Sequence, residues 1–425
     1  MRTEFRRVRL FDPGSGLDQA DATVVVEGGT IVAFERRGQP DQLVDGQGLL
    51  LCPGIIDLRA HLGQPGRPDR ETVLSATRAA AKGGTTTVVA LPTTDRVEVV
   101  AMLEAWAKAA GPTRVLPAGA FTVGRQGERL AEFAKLRAAG CVLFTDGNRP
   151  IRDAQLLRYG LETAVDVGVP VMTHAEDETL AQGGVMHEGA VSARLGLVGI
   201  PRAAEEVGVA RDLAVAELTG AAIHISHVSS AGSVELIRQA KRRGVRVSAD
   251  VSPHHLLLDA DAVVGYATHA KLRPPLREAS DRAALVEGLA DGSVDAVASD
   301  HEPRTNLEKN VEFDAASPGA AAIELLLPTL TTLVAEGALT LERALSACTR
   351  GPARILGRED LGRLRVGGPA DLVLLDPEAQ WSVGDDWQSR ARNTPLWGRS
   401  LSGRPLLTMV RGRMSFADHR FEEIQ

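Results

Sequence analysis

Eight short apolar segments rich in β-branched residues alternate with segments of helical periodicity between about residue 54 and residue 301. Parallel strands need a crossover connection, usually a helix, so this alternation predicts a parallel sheet. Eight strand-helix units over roughly 250 residues are the number that closes a (β/α)8 barrel. An open doubly wound sheet gives no reason for eight, and no G-x-G-x-x-G follows the first strand. The predicted strands are GIIDLRAH, TTTVVAL, TRVLPAGAF, CVLFTD, VPVMTH, AIHISHV, VRVSADV and VDAVASD.

Both ends of the chain differ from this middle part. They carry short strands broken by Gly and Pro, such as TVVVEGGTIVAFE near the start and ADLVLLDP and LLTMVRGRMSF near the end. These patterns are typical of hairpins. We therefore predict an α/β protein in which residues 54–359 form the barrel and residues 1–53 and 360–425 form one small β-rich module. The helices of the barrel are predicted at residues 71–82, 98–110, 153–167, 203–218, 231–243 and 280–290.

Composition excludes several classes of protein. The formal net charge of −7 and the 4% aromatic content offer neither a basic field nor stacking side chains for a nucleic acid. The three cysteines are far apart, which argues against a thiolate metal cluster and for a reducing compartment. No window approaches ~18 uninterrupted apolar residues, so no membrane span is predicted. We expect a cytoplasmic oligomer with small-molecule or protein partners.

Polar residues of one kind recur where the predicted strands end. Active sites of (β/α)8 barrels lie at the carboxyl ends of the strands. A single histidine there is more often a satisfied core or surface residue, but six strand ends that each supply His or Asp favour a site for a divalent cation such as zinc. These residues are His61, Asp146, His174, His227, His254 and Asp300.

The other histidines are interpreted structurally. His224 has the opposite strand parity to His227 and is expected to face the outer helices. His255 and His301 adjoin better candidates and are expected to donate hydrogen bonds or to pack. The remaining three are predicted in loops or terminal segments; they are His187, His269 and His419.

Laid out in this way, the chain resembles the amidohydrolase superfamily and, within it, the dihydroorotases. The resemblance covers nearly the whole chain and implies a metal-dependent hydrolase of cyclic amides in pyrimidine biosynthesis, built on a barrel of the amidohydrolase kind. The motifs that carry it are PGIIDLRAHLGQPG (53–66), GGTTTVVALPTT (83–94), FTDG (144–147), HAEDE (174–178), HISHVSS (224–230), SPHHLLL (252–258), KLRPPLR (271–277), ASDHEPRT (298–305) and PADLVLLDP (369–377).

The resemblance also implies a ligand set. One zinc would be held by histidines at positions 59 and 61 together with Asp300, which would also act as the general base. Asp146 would bridge to a second zinc held by His174 and His227. Position 59, however, is Arg59, so one metal position loses a neutral ligand and gains a fixed cation. One zinc remains possible, and two are not expected.

The substrate side departs further from the family pattern. Gly63 and Thr93 stand where the family has an arginine and an asparagine, and Arg273 and Arg304 replace an asparagine and a histidine. The two arginines, with His254, are the candidate substrate-binding residues if they form a relocated clamp for a carboxylate. Alternatively, the arginines are salt-bridged loop residues near Glu302 and Glu308.

Two hypotheses follow. In the first, Arg59 pairs with Asp300 and Asp146 in place of the metal, and the protein is a non-catalytic or weakly active dihydroorotase-like partner of aspartate carbamoyltransferase, as some members of the family are. In the second, Asp146, His174 and His227 hold one zinc, and the protein is an active hydrolase of dihydroorotate or another acidic cyclic amide. Clustering of the changes at the site favours the first. Residues 302–318 form a candidate lid under either hypothesis.

Overall fold

The computed structural model describes residues 1–384 and 386–424. Its first strand buries Phe5, Val8 and Leu10 completely, while Arg7 and Arg9 between them stay exposed. The first strand pairs antiparallel with the second and parallel with the fourth and fifth. These strands are β1 (Arg2–Asp12), β2 (Leu17–Glu27), β3 (Thr30–Ala33), β4 (Gln42–Asp45) and β5 (Leu50–Pro53).

The middle of the chain forms parallel strands arranged in a closed ring. One group has the order β6-β7-β8 and another the order β9-β12-β13-β14. Strands β10 and β11 pair only with each other, in a separate two-stranded sheet. Phe144 joins the groups through bridges to Gly119 and Val171, and a bridge between Ala60 and His301 closes the ring. The strands are β6 (Ile55–Ala60), β7 (Thr85–Ala90), β8 (Arg114–Pro117), β9 (Val171–Thr173), β10 (Met186–His187), β11 (Gly199–Ile200), β12 (Ile223–Ile225), β13 (Val247–Val251) and β14 (Ala296–Val297).

The fourth predicted strand, CVLFTD, is reduced to the single bridged residue Phe144. Successive backbone N–H groups of this segment bond to opposite neighbours. Phe144 N donates to Pro170 O at 3.1 Å, and Thr145 N donates to Gly119 O at 2.9 Å. The ring of Phe144 also stacks on Phe133, with centroids 3.9 Å apart. The backbone is therefore satisfied at this position without a regular ladder.

All six predicted helices are present, with ends that agree to within two residues. The first begins at Val73 rather than residue 71 because Thr72 caps it through its side chain. The helices that follow Asp153 and Ser230 are capped in the same way. The helices are α1 (Val73–Lys82), α2 (Val97–Ala110), α3 (Phe133–Ala138), α4 (Ala154–Val167), α5 (Glu178–Ala181), α6 (Ala190–Leu195), α7 (Arg202–Thr219), α8 (Ala231–Arg242), α9 (Pro253–Leu257), α10 (Ala279–Asp291), α11 (Asn306–Lys309), α12 (Leu326–Ala335), α13 (Leu341–Cys348) and α14 (Arg350–Ile355).

The C-terminal strands complete the sheet that the N-terminal strands begin. They are β15 (Leu372–Ser382), β16 (Ser400–Val410) and β17 (Arg413–Ala417). β15 runs antiparallel to both β5 and β16, which gives the order β17-β16-β15-β5-β1-β2-β3 with β4 on β1. The exact division at residues 53 and 360 stays a prediction. No helix among the described residues is long and apolar enough to cross a lipid bilayer.

Candidate functional site

Arg59 is the most buried cation of the barrel, and it is held by an ion pair. Its side chain lies on β6 with no exposed surface, and Nε donates to Oδ1 of Asp300 at 2.7 Å. A second guanidinium nitrogen donates to Oδ1 of Asn148, and the third lies 3.9 Å from the Met172 sulfur. The interpretation that Arg59 pairs with Asp300 is confirmed. Asn148, rather than Asp146, supplies its other partner.

Asp146 is turned away from Arg59 towards the loop after β8. Its Oδ1 accepts hydrogen bonds from the backbone N–H groups of Phe121 and Thr122, both at 3.0 Å, and Oδ2 accepts one from the Thr122 hydroxyl. Burial raises the pKa of this carboxyl despite those bonds. The expectation that Asp146 also pairs with Arg59 was therefore wrong, because two backbone N–H groups and a hydroxyl of residues 121–122 already bind the carboxylate.

His174 and His227 lie side by side after β9 and β12. Their rings are 4.9 Å apart in an edge-to-face arrangement, and the Nε2 atom of each is buried without a hydrogen-bond partner. Burial holds the pKa of both well below the ordinary value, helped by the His227 ring beside His174 and by Arg59 beside His227. Both imidazoles are thus neutral at pH 7, the form that binds a metal.

His227 and Asp300 share an unusual backbone conformation. His227 has φ 40° and Asp300 has φ 48°, in the left-handed region that non-glycine residues seldom adopt. Both follow the end of a strand, where the chain turns sharply. Functional sites are a common place for such strained residues.

The described residues provide only part of the zinc ligand set that the resemblance implies. Arg59 occupies one metal position with a positive charge, so His61 and Asp300 do not form a cation site with it. His174 and His227 could supply two nitrogen ligands. Within residues 1–384 and 386–424, the one group of three or more candidate ligands whose ligand atoms lie within 4.8 Å of one another is elsewhere, at His187, Glu278 and Asp281.

A cavity of about 390 Å³ opens near the end of β6. His61, Thr93, Asn148 and Arg304 line it, but His174 and His227 do not. Gly63 also lines it, with φ +73°, and a Cβ at this position would lie 1.9 Å from the Glu71 carbonyl oxygen. The loop is therefore packed around a glycine and has no room for the arginine of the family pattern.

The candidate substrate-binding arginines are both paired with protein carboxylates. Arg304 pairs with Glu302, as its sequence context predicted, and donates from Nε to Pro318 O at 2.7 Å. Arg273 pairs with Glu176, Nε to Oε2 at 3.2 Å, not with the predicted Glu302 or Glu308. A substrate carboxylate would have to compete with these internal partners. The lid role of residues 302–318 stays a prediction.

Most of the histidines to which the sequence analysis gave no ligand role form hydrogen bonds. His255 contacts the Ser252 hydroxyl at 2.8 Å, and His301 Nδ1 accepts from Ala322 N at 3.2 Å, as expected. His224 contacts Ser248 and Asp250 on the neighbouring strand. His187, predicted in a loop, belongs instead to the two-residue strand β10. Sequence reasoning missed Asn148 and Arg125 in the cavity wall, since neither lies at a strand end or in a quoted motif position with a ligand role.

His254 makes the stability of the fold sensitive to acid. Burial, with His255 as the next cause, lowers its pKa from 6.5 to about 3. Below pH 6.5 the unfolded chain binds a proton that the folded protein does not, so stability is complete above that pH and falls as the pH falls towards the folded pKa. The loss is up to about 1.4 kcal/mol per pH unit for this group.

We expect His254→Gln to flatten the pH dependence of the free energy of unfolding, measured by urea denaturation from about pH 7 to about pH 4. An unchanged slope in His254→Gln would contradict the assignment. The wild-type slope also includes other buried histidines whose pKa is lowered.

Comparison with known proteins relates the chain to a family. Residues 48–233 match the family described as Dihydro-orotase-like. The chain is 46% identical over 415 residues to a dihydroorotase of Anaeromyxobacter dehalogenans strain 2CP-C, covering 96% of each chain. It is 47% identical over 382 residues to a dihydroorotase of Pelotomaculum thermopropionicum, covering 89% of each.

Solved structures with similar folds are hydantoinases. L-hydantoinase (dihydropyrimidinase) from Arthrobacter aurescens superposes with a TM-score of 0.88 at 25% identity, covering 98% of this chain and 96% of that one. A D-hydantoinase gives a TM-score of 0.85 at 26% identity, covering 98% and 95%. The predicted fold class, a barrel of the amidohydrolase kind with a β-rich module, is confirmed.

Proposed function

Because this chain belongs to the dihydroorotase family of the amidohydrolase superfamily, we propose that it serves pyrimidine biosynthesis as a dihydroorotase-like protein without hydrolytic activity. The observation that carries the proposal is the buried ion pair between Arg59 and Asp300. A carboxylate that is paired with a guanidinium is a poor general base, because proton uptake would break the pair.

Three further features of the site support the same conclusion. Asp146 is fully hydrogen-bonded to the loop at residues 121–122. Arg273 and Arg304 are neutralised by protein carboxylates. Gly63 leaves no room for a carboxylate-binding arginine. General-base, metal-binding and substrate-orienting functions are thus each weakened by a separate contact.

We further propose that such a protein acts through a partner, and that the partner is an aspartate carbamoyltransferase, as the family resemblance implies. Mixing the two purified proteins from the same organism is expected to give a faster-sedimenting complex in analytical ultracentrifugation. Two independent boundaries at all ratios would contradict the partnership while leaving the lack of hydrolysis untouched.

The decisive experiment measures tightly bound zinc and dihydroorotate turnover on wild type and on Arg59→His, after loading with zinc and desalting. We expect less than about one zinc per chain in wild type, since His174 and His227 alone supply unpaired neutral ligands of the implied set, and a rise towards about one in Arg59→His. Neither protein is expected to turn over dihydroorotate, because Gly63, Arg273 and Arg304 are unchanged. Stoichiometric zinc with turnover in wild type would contradict the proposal.

A second candidate function rests on one observation. The Nε2 atoms of His174 and His227 are buried without hydrogen-bond partners, and the two rings lie 4.9 Å apart. A mononuclear zinc hydrolase would need a third ligand, and Asp146 would have to leave its hydrogen bonds with Thr122 to supply it. The relatives described as dihydroorotases keep this alternative open, and the same zinc and turnover measurements decide it.

A further inference from the structure

His187 is a buried histidine with a free nitrogen outside the barrel mouth. Only 3% of its surface is exposed, and its Nε2 atom has no hydrogen-bond partner. Its other nitrogen, Nδ1, lies 3.5 Å from Nη1 of Arg277. Burial of an unpaired polar atom is unfavourable, so the Nε2 atom of His187 is expected to have a binding partner.

The free nitrogen faces a small pocket that also contains a carboxylate. The pocket has a volume of about 220 Å³ and is lined by His187, Gly189 and Glu278. A Cβ built on Gly189 would lie 3.5 Å from Nε2 of His187 and 3.2 Å from Oε1 of Glu278. These two atoms therefore lie on the same side of the pocket, where glycine leaves space between them.

Asp281 adds a third ligand to the group. Glu278 caps α10 and Asp281 lies in its first turn, so the helix geometry brings their carboxylates together. Ligand atoms of His187, Glu278 and Asp281 all lie within 4.8 Å of one another. One imidazole and two carboxylates are a ligand set typical of zinc and of similar borderline divalent ions.

We propose that His187, Glu278 and Asp281 form an exchangeable site for a divalent transition-metal ion, which would connect β10 to the start of α10. The site differs from the His174 and His227 pair of the barrel. It goes beyond the proposed function because it requires neither hydrolysis nor its absence.

Arg202 is the competitor for this site. Its Nε donates to Oδ2 of Asp281 at 2.8 Å, and Nη2 donates to Oε2 of Glu278. Asp281 also accepts from the backbone of Ala231 and Glu278. The Arg202 side chain is 37% exposed, so it can move into solvent when an ion binds. We therefore expect weak binding in wild type and tighter binding when Arg202 loses its charge.

The test is isothermal titration of the metal-free full-length protein with zinc. We expect saturable binding below about 1 mM zinc in wild type, weakened at least about tenfold by His187→Gln. Arg202→Gln is expected to tighten binding about tenfold, since it removes a cation next to the ion. This gain cannot come from misfolding. His269→Gln, at a half-buried histidine outside the pocket, is the control and is expected to change nothing.

Two results would overturn the proposal. The first is the absence of saturable zinc binding in both wild type and Arg202→Gln. The second is binding that survives His187→Gln but disappears in His227→Gln, which would assign the ion to the barrel. Repeating the Arg59→His zinc measurement in a His187→Gln background keeps the two metal questions separate.

Discussion

Replacement of Arg59 by methionine will lower the free energy of unfolding by about 3 kcal/mol. Methionine fills much of the arginine volume, so the main loss is the charge that compensates Asp300. The arginine has no exposed surface and the aspartate 16%, so water can only partly solvate the carboxylate that remains. Removal of one partner from a buried pair costs more than the pair itself contributes, because the other charge stays buried.

The measurement is urea denaturation of wild type, Arg59→Met, Asp300→Asn and the double variant. We expect the double variant to be less destabilised than the sum of the two single changes, since it removes both charges. Arg158→Met provides a matched control in an exposed helical pair with Glu162, where a change below about 1 kcal/mol is expected. Equal costs for Arg59→Met and Arg158→Met would show that the buried pair carries no special charge compensation.

The second large effect is expected at Gly63. Gly63→Ala will destabilise the protein by about 3 kcal/mol, because its Cβ would lie 1.9 Å from the Glu71 carbonyl oxygen and its φ is +73°. The neighbouring atoms are backbone and cannot rotate away. The loop must move, so Gly63→Arg is expected not to restore substrate binding either.

Gly66→Ala is the matched control for this prediction. Gly66 lies in the same loop and also has a positive φ of 118°, but nothing lies within 4 Å of its built Cβ. It is expected to cost about 1 kcal/mol, the conformational part alone. If thermal denaturation gives the two variants the same stability, the overlap with Glu71 is relieved without cost and Gly63 is not a barrier to the family arginine.

Much of the fold was predictable because the barrel repeats one pattern. The strands of the barrel, from β6 to β14, have at most six residues each, and helices such as those after Thr72 and Asp153 begin with a side-chain cap. The irregularity of the fourth predicted strand could not be predicted from the sequence. Its sequence is as apolar as its neighbours, and only the tertiary position of Phe144 between Gly119 and Val171 shows that the ladder is broken.

The site was predictable in residue type but not in its contacts. The family resemblance put Arg59 at a metal-ligand position, and the structure pairs it with Asp300. Sequence spacing does not report side-chain rotamers, so the turn of Asp146 towards Thr122 and the contact of Arg59 with Asn148 were not foreseen. The same limit applies to Arg273, whose partner Glu176 is distant in sequence.

The sheet shared by both termini has a consequence for biosynthesis. β5 pairs with β15, where Pro53 lies opposite Leu372, so the N-terminal strands acquire this neighbour only after most of the chain has been translated. Until then one edge of β5 is open, and an open edge is a template for pairing with another nascent chain. Ribosomes that translate this message close together therefore expose matching strand edges for as long as the barrel takes to be synthesised.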